Sequence, residues 1–484
     1  MALSGLRTAL AASSSYGRVS AAASHPAAER TDELQIAATT GLRPALVAEI
    51  AARLRGAEDT GVLLAVTATD READDLATSL RSYAPGIEVA HFPSWETLPH
   101  ERLSPRSDTV GRRLAVLRRL AHPQQAGRLD VVVAPVRAVV QPLVDGLGDL
   151  APVRLEVGQE HDFDDVVAGL ADAAYTRVDM VTRRGEFAVR GGILDVFPPT
   201  EPHPVRVEFF GDEIDQMRRF SVADQRSLEE DEHPTAVDAA PCRELLITED
   251  VRARAKELLP QMPHAQDLLT KIADGLAPEG MESLAPVLVD RMVPLVSQLP
   301  TGSLTVVVEP ERTRGRAQDL AATNEEFLAA AWAAAPDGGA APLDITAAEQ
   351  EGLAAGSFAT LGETREASLQ HGAGWWSITS LGLDEELEQD ADIVSLDSRE
   401  PIGYRGSVED VMQFLAERAR DHWSVVVTTA GHGSAQRVAE LLAEHEVPAE
   451  LVESLEEAPS PGRITVTTAE VSQASPWTRC SWRC

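Results

Sequence analysis

The chain has 484 residues, with 43 basic against 77 acidic side chains and a formal net charge of −34. That length can bury several cores and suggests about three domains. An acidic field of this sign repels polyanions and works against tight DNA or RNA binding. Cys242, Cys480 and Cys484 make neither a disulfide framework nor a metal-ligand spacing. No run approaches the ~18 apolar residues of a membrane span, so a reducing, cytoplasmic setting without membrane contact is expected.

Residues 1–32 open with Arg7, Arg18 and much Ala and Ser, and no acid falls within the first 28 residues. The stretch faintly resembles a transit peptide, but its plainer reading is a flexible N-terminus leading into a helix. From Glu33 to Gly146 helical and strand patterns alternate. Leu42–Arg55 has helical spacing, Val62–Ala68 is a nearly continuous apolar run, and Asp70–Tyr83 is amphipathic. Strand Ile87–Phe92, helix Gly111–Leu120, strand Val131–Ala134 and helix Val136–Leu143 follow. Apolar strands separated by amphipathic helices predict a doubly wound α/β layer, here spanning 33–151.

Residues 152–241 change character. After a helix at Asp164–Ala173, short alternations at Phe187–Val189, Ile193–Val196, Val205–Phe210 and Met217–Val222 are punctuated by Gly-Gly, Pro-Pro and Gly-Asp. That pattern predicts an antiparallel meander. Pleating places Arg206, Glu208 and Phe210 on one face of their strand and Val205, Val207 and Phe209 on the other. Such a face suits a protein-docking hot spot. It equally suits a snorkelling arginine beside a core phenylalanine.

Helical spacing returns at Glu249–Leu258 and Ala265–Gly275, and Leu304–Val308 is again apolar. That strand is expected to complete the first α/β layer over 242–375, making the meander module an insertion. Asn324–Ala335 has helical spacing and ends at Pro336-Asp337-Gly338-Gly339. Asp384–Asp392 is an acidic run, read as part of a linker over 376–404. A small α/β domain is expected over 405–473. There Ser407 and Asp410 form a capping box for helix Val408–Arg420, followed by strand Val425–Thr429, helix Ser434–His445 and strand Ile464–Thr467.

No catalytic pattern emerges. Lys256 and Lys271 are the only lysines, and neither follows a glycine, so no phosphate-cradling Gly-Lys pair exists. Glu309-Pro310-Glu311 reads as a relic of a magnesium site or as a surface turn. Gly431-His432-Gly433 lacks the third glycine of a dinucleotide fingerprint. The histidines have no zinc spacing, and there is no nucleophile elbow. No catalytic residue, no metal and no cofactor is expected.

Several long motifs together resemble one family. Phe92–Leu117 (FPSWETLPHERLSPRSDTVGRRLAVL), Arg183–Pro199 (RRGEFAVRGGILDVFPP), Val205–Phe220 (VRVEFFGDEIDQMRRF) and Asp224–Glu230 (DQRSLEE) look like the N-terminal half of the bacterial transcription-repair coupling factors (Mfd). The first and third are shared with the excision-repair subunit UvrB. The resemblance runs from about residue 35 to 470. It implies a UvrB-like, degenerate helicase-type α/β domain split by a module that docks UvrA, followed by a small α/β domain. The family's UvrA-contacting residues fall on Arg190, Arg206 and Phe210, with Glu208 as a further candidate on the same face. Where UvrB carries its nucleotide loop, this chain has Thr39-Thr40-Gly41-Leu42-Arg43-Pro44. Thr40, Gly41 and Arg43 therefore mark an inactive site.

Intact family members use ATP and magnesium in motor domains to displace stalled RNA polymerase, and mask the UvrA-docking face with a C-terminal domain. Those domains are not in this sequence, so a permanently open docking face is expected. The final ASPWTRCSWRC (474–484) departs from every earlier pattern and reads as an aberrant, frame-shifted tail. The alternative from a different class is a UvrB-like ATP-dependent DNA-damage-processing subunit, which the missing Gly-Lys pair and the acidic charge oppose.

Overall fold

Seven parallel strands form the central sheet in a computed structural model that describes residues 3–56, 61–98, 101, 103–228, 234–334, 358–380, 392–396, 398 and 407–471. Their order is Ile393–Ser395, Glu33–Ala37, Gly374–Thr379, Leu304–Val308, Leu63–Thr67, Val131–Pro135, Val89–His91. Leu304–Val308 pairs with Leu63–Thr67 on one side and with Gly374–Thr379 on the other. Chain segments from before and after residues 152–241 therefore share one sheet. The three strands read as continuous apolar runs are buried throughout, because helices cover both faces.

On one face lie the helices Arg43–Gly56 and Asp70–Tyr83; on the other lie Ser107–Ala121 and Val136–Val140. Asp70–Tyr83 shows why the local pattern suffices. Ala73, Leu76, Ala77 and Leu80 make its buried stripe, the spacing of a one-sided helix. Thr69 accepts from the Glu72 amide at its start.

The N-terminus is not flexible as expected. Ser4–Leu10 and Ser14–Ser24 are helices, and Leu3, Leu10, Tyr16, Val19 and Ala23 are buried in the same core. Their weak amphipathicity hid them; the anchor is a residue far along the chain. Glu49 accepts hydrogen bonds from Arg7 (2.8 and 3.2 Å), Ser20 (2.8 Å) and Arg53 (2.7 Å). Burial alone would raise the Glu49 carboxyl, but the hydrogen bonds from Arg7, Arg53 and Ser20 outweigh it and hold it below its ordinary value. A carboxylate lowered in the folded state contributes stability above its unfolded pKa of about 4.3, which is lost as pH falls through the folded value. Protection of residues 4–24 against hydrogen exchange, corrected for intrinsic rates, should therefore fade in acid. In Glu49→Gln it should already be weak at pH 7. Equal protection of both proteins at pH 7 would show that Glu49 is not the anchor.

Residues 153–239 build a second layer. Its five-stranded sheet has the order Glu213–Arg219, Val205–Phe210, Ile193–Val196, Glu186–Arg190, Thr176–Arg177, antiparallel except for the last pair. The fourth meander strand was expected at Met217–Val222 but starts at Glu213. Gly211, at φ +66, closes a two-residue hairpin, so pairing resumes at once. Val153–Glu156 pairs with Ala236–Ala239, and helix Phe163–Asp172 packs over the same core.

Between module and sheet strand, Glu249–Leu258, Gln266–Ala273 and residues 281–288 form a helical cluster with its own core. The helix expected at Asn324–Ala335 begins much earlier and runs Pro310–Ala334. Pro310 suits the first helical position because its missing N–H would have no partner there. Glu309-Pro310-Glu311 is therefore a strand-to-helix junction, not a surface turn. The expected linker over 376–404 is also corrected. Gly374–Thr379 and Ile393–Ser395 are sheet strands, the first burying Trp376 completely. Residues 384–391 of the acidic run, the loop at 336–339 and the tail at 474–484 lie outside the described residues.

Residues 407–471 form a three-stranded parallel sheet, Val425–Thr429, Ile464–Thr468, Ala449–Leu451, with helices Val408–Arg420 and His432–Glu444. The Ser407–Asp410 capping box is present. This unit meets the first layer where the Gly5 amide donates to the Leu455 carbonyl (2.8 Å) and the Ser82 hydroxyl to that of Glu470 (3.2 Å).

Candidate protein-docking site

The Val205–Phe210 strand supplies the site. Val205 and Val207 are fully buried, while Arg206 and Glu208 are half-buried on the opposite face. A bulge between Glu208 and Phe209 shifts the register, yet Phe209 still packs inward, edge-on to Phe163 with centroids 5.0 Å apart. Phe210, at the hairpin end, is 83% exposed. It is not a core phenylalanine. The buried aromatic beneath Arg206 is Phe220, whose ring lies 4.8 Å from the guanidinium carbon.

Each predicted polar residue has partners. Arg206 Nε and Nη2 donate to the two oxygens of Asp195 at 2.7 and 2.8 Å. Those hydrogen bonds raise the arginine's pKa, burial opposing. Glu208 accepts from Gln216 Nε2 (2.8 Å) and Arg218 Nη2 (2.6 Å). Arg190 is exposed and donates to the Asp179 carbonyl at 2.7 Å.

Strand register brings these residues together, since directly opposed residues share a face. One cross-strand row carries Arg190, Ile193, Glu208 and Gln216; the next carries Ala188, Asp195, Arg206 and Arg218. Arg190, Arg206, Glu208 and Phe210 thus lie on one face of the module. Ile193 (36% exposed) and the nearby Met180 (49%) add apolar area. The sequence reading missed Ile193, Asp195, Arg218 and Phe220. All four lay within short alternations that could have assigned them a face, but their partners needed the register.

The loop at 39–44 lies elsewhere. Thr40–Leu42 is a short turn between strand Glu33–Ala37 and helix Arg43–Gly56, a strand–turn–helix geometry that cradles phosphates in other proteins. Here Arg43 pairs with Glu309, which also accepts from the Ser380 amide at 2.9 Å. The cavity beside Thr40 and Arg43 measures about 90 Å³ and is lined by Glu72, Asp75 and Glu309. Cys242 is buried, and burial pushes its thiol up to about 12, which leaves no thiolate for chemistry. Among the described residues no group of three or more His, Cys, Asp or Glu could hold a metal ion. None of their helices is long and apolar enough to cross a membrane.

Comparison with known proteins agrees with this layout. The sequence model of the UvrB interaction domain matches residues 153–239. The transcription-repair-coupling factor of Mycobacterium bovis is 47% identical over 452 residues, 90% of this chain and 35% of that protein. Those of Myxococcus xanthus and Escherichia coli are 34% and 32% identical over 54% and 45% of this chain, and 23% and 19% of their own lengths. The chain spans about a third of the length of its Mycobacterium relative. Its sequence places it with the transcription-repair coupling factors, as an N-terminal portion with a UvrB-like α/β architecture and a UvrB interaction domain.

Proposed function

We propose that this chain is a UvrA-recruiting portion of a transcription-repair coupling factor, acting in transcription-coupled excision repair as a binding module without ATPase of its own. The exposed Phe210 on the same strand face as the fixed Arg206, inside the stretch matching the UvrB interaction domain, carries the reading. An aromatic anchor ringed by charge-assisted donors is the composition that concentrates binding energy. Arg190 and Glu208 flank it on the same face.

In this reading residues 152–241 are an inserted docking module within the α/β domain whose sheet also takes in Gly374–Thr379 and Ile393–Ser395, and 407–471 form a separate small domain. The Arg43–Glu309 pair in the former phosphate position supports the lack of hydrolysis. ATP, magnesium, translocation on DNA and contact with RNA polymerase are assigned to stretches of the relatives outside the matched third. The charge of −34 supports little DNA binding by this chain.

Phe210→Ala tests it. The side chain is 83% exposed, so its removal should leave the melting temperature unchanged. UvrA affinity, measured by calorimetry, should fall by about 2 kcal/mol or more, roughly thirtyfold. Undiminished binding by the variant would move the docking site elsewhere.

A further inference from the structure

Asp195 is an acid on the hidden side of a surface pair. It is 3% exposed, shares its cross-strand row with Ala188 and Arg206, and receives both of its arginine bonds from Arg206. The arginine is thereby held on two sides, by the carboxylate through its Nε–Nη2 edge and by the Phe220 ring against its plane. Its side chain keeps 23% exposure, and among the described residues Nη1 donates to nothing. A guanidinium carries five donors in a rigid fork. With one edge spent on Asp195, the other remains for an outside acceptor.

We propose that Asp195 is the positioning residue of the docking face, acting on the partner only through Arg206. This rests on the UvrA-docking reading above and deepens it. A long, free arginine loses its rotamer freedom when it docks. Here that ordering has already occurred, within the folded module. The partner group that suits the remaining edge is a planar oxygen acceptor, a carboxylate or a backbone carbonyl, received by a fork that cannot swing away. Glu208 and Arg218 are also paired, through a single bond of 2.6 Å, so the face presents paired charges instead of a bare basic patch.

The arrangement also changes what an arginine deletion means. Arg206→Ala would leave a buried carboxylate without its partner, so lost docking in that variant mixes a missing contact with a damaged module. A double-mutant cycle on the full chain separates the two: Asp195→Asn, Arg206→Ala and the pair, each measured for UvrA affinity and melting temperature. Asp195→Asn keeps the side chain's volume and removes its charge. In the wild-type background it should weaken UvrA binding about tenfold, within the coupling seen for residues of one network. In the Arg206→Ala background it should change affinity less than about twofold, and should raise the melting temperature above that of Arg206→Ala alone. Equal weakening in both backgrounds, or none in the first, would overturn the positioning role while leaving UvrA docking intact. Failure of the unaltered chain to bind UvrA would instead overturn the docking reading and this inference with it.

Discussion

Arg113→Leu is expected to cost about 3–5 kcal/mol of stability, the penalty for leaving a buried carboxylate without its partner. Arg113 has no exposed side-chain surface and Glu244 has 3%. The guanidinium donates to both Glu244 oxygens (2.5 and 3.4 Å) and to the Pro93 carbonyl (2.9 Å), and lies 4.3 Å from the Phe92 ring centre. Trp95 Nε1 adds a bond to the same carboxylate at 3.0 Å. Glu244 follows the matched module directly, so this node ties the returning chain to the first α/β layer.

Neighbouring contacts run the same way. The Ser107 hydroxyl donates to the Arg184 carbonyl at 3.0 Å, and a Cβ on Gly111 would sit 2.3 Å from Pro199. The motifs Phe92–Leu117 and Arg183–Pro199 thus meet at the seam between layer and module. Denaturant titration should show the loss in Arg113→Leu and recover much of it in Arg113→Leu/Glu244→Leu, where no charge remains unpaired. A single variant that loses less than about 1 kcal/mol would mean water reaches Glu244 and the node is not closed.

The sequence was most legible where one period ruled an element. Leu304–Val308, Glu249–Leu258 and the Asp70–Tyr83 helix stand at the bounds that periodicity predicts. The N-terminal helices were hidden because Arg7 and Ser20 are meaningless until Glu49 stands beside them. The Gly374–Thr379 strand was lost beside a charged run, although Trp375-Trp376 marks it. At the docking face, pleating alone put Arg206, Glu208 and Phe210 together. It could not tell which phenylalanine is buried, because that depends on the hairpin end exposing Phe210 and on the fold placing Phe220 under the guanidinium. Asp195 as the arginine's holder needed the register between two strands.

Gly5→Leu should detach the small α/β unit from the first layer without disturbing the module. An ideal Cβ at position 5 would lie 1.9 Å from the Glu457 carbonyl oxygen and 2.6 Å from its carbon, so backbone must part for any side chain. What parts is a threaded contact. The Leu3 amide donates to the Ser82 carbonyl (2.7 Å) and the Gly5 amide to that of Leu455 (2.8 Å), placing the first turn between helix Asp70–Tyr83 and residues 455–457. Leu3 is fully buried there and Leu455 is 6% exposed. Exposing even one of these leucines costs about 1.5–3 kcal/mol, enough to release a peripheral contact while the sheet stays folded. Hydrogen exchange should therefore accelerate by about ten- to hundredfold over residues 3–10 and 455–457, with 186–219 unchanged. Acceleration across the module as well would mean that the N-terminal turn stabilises the whole chain. Unchanged exchange at 455–457 would mean that the small unit is held by its other contacts, the Ser82–Glu470 bond among them.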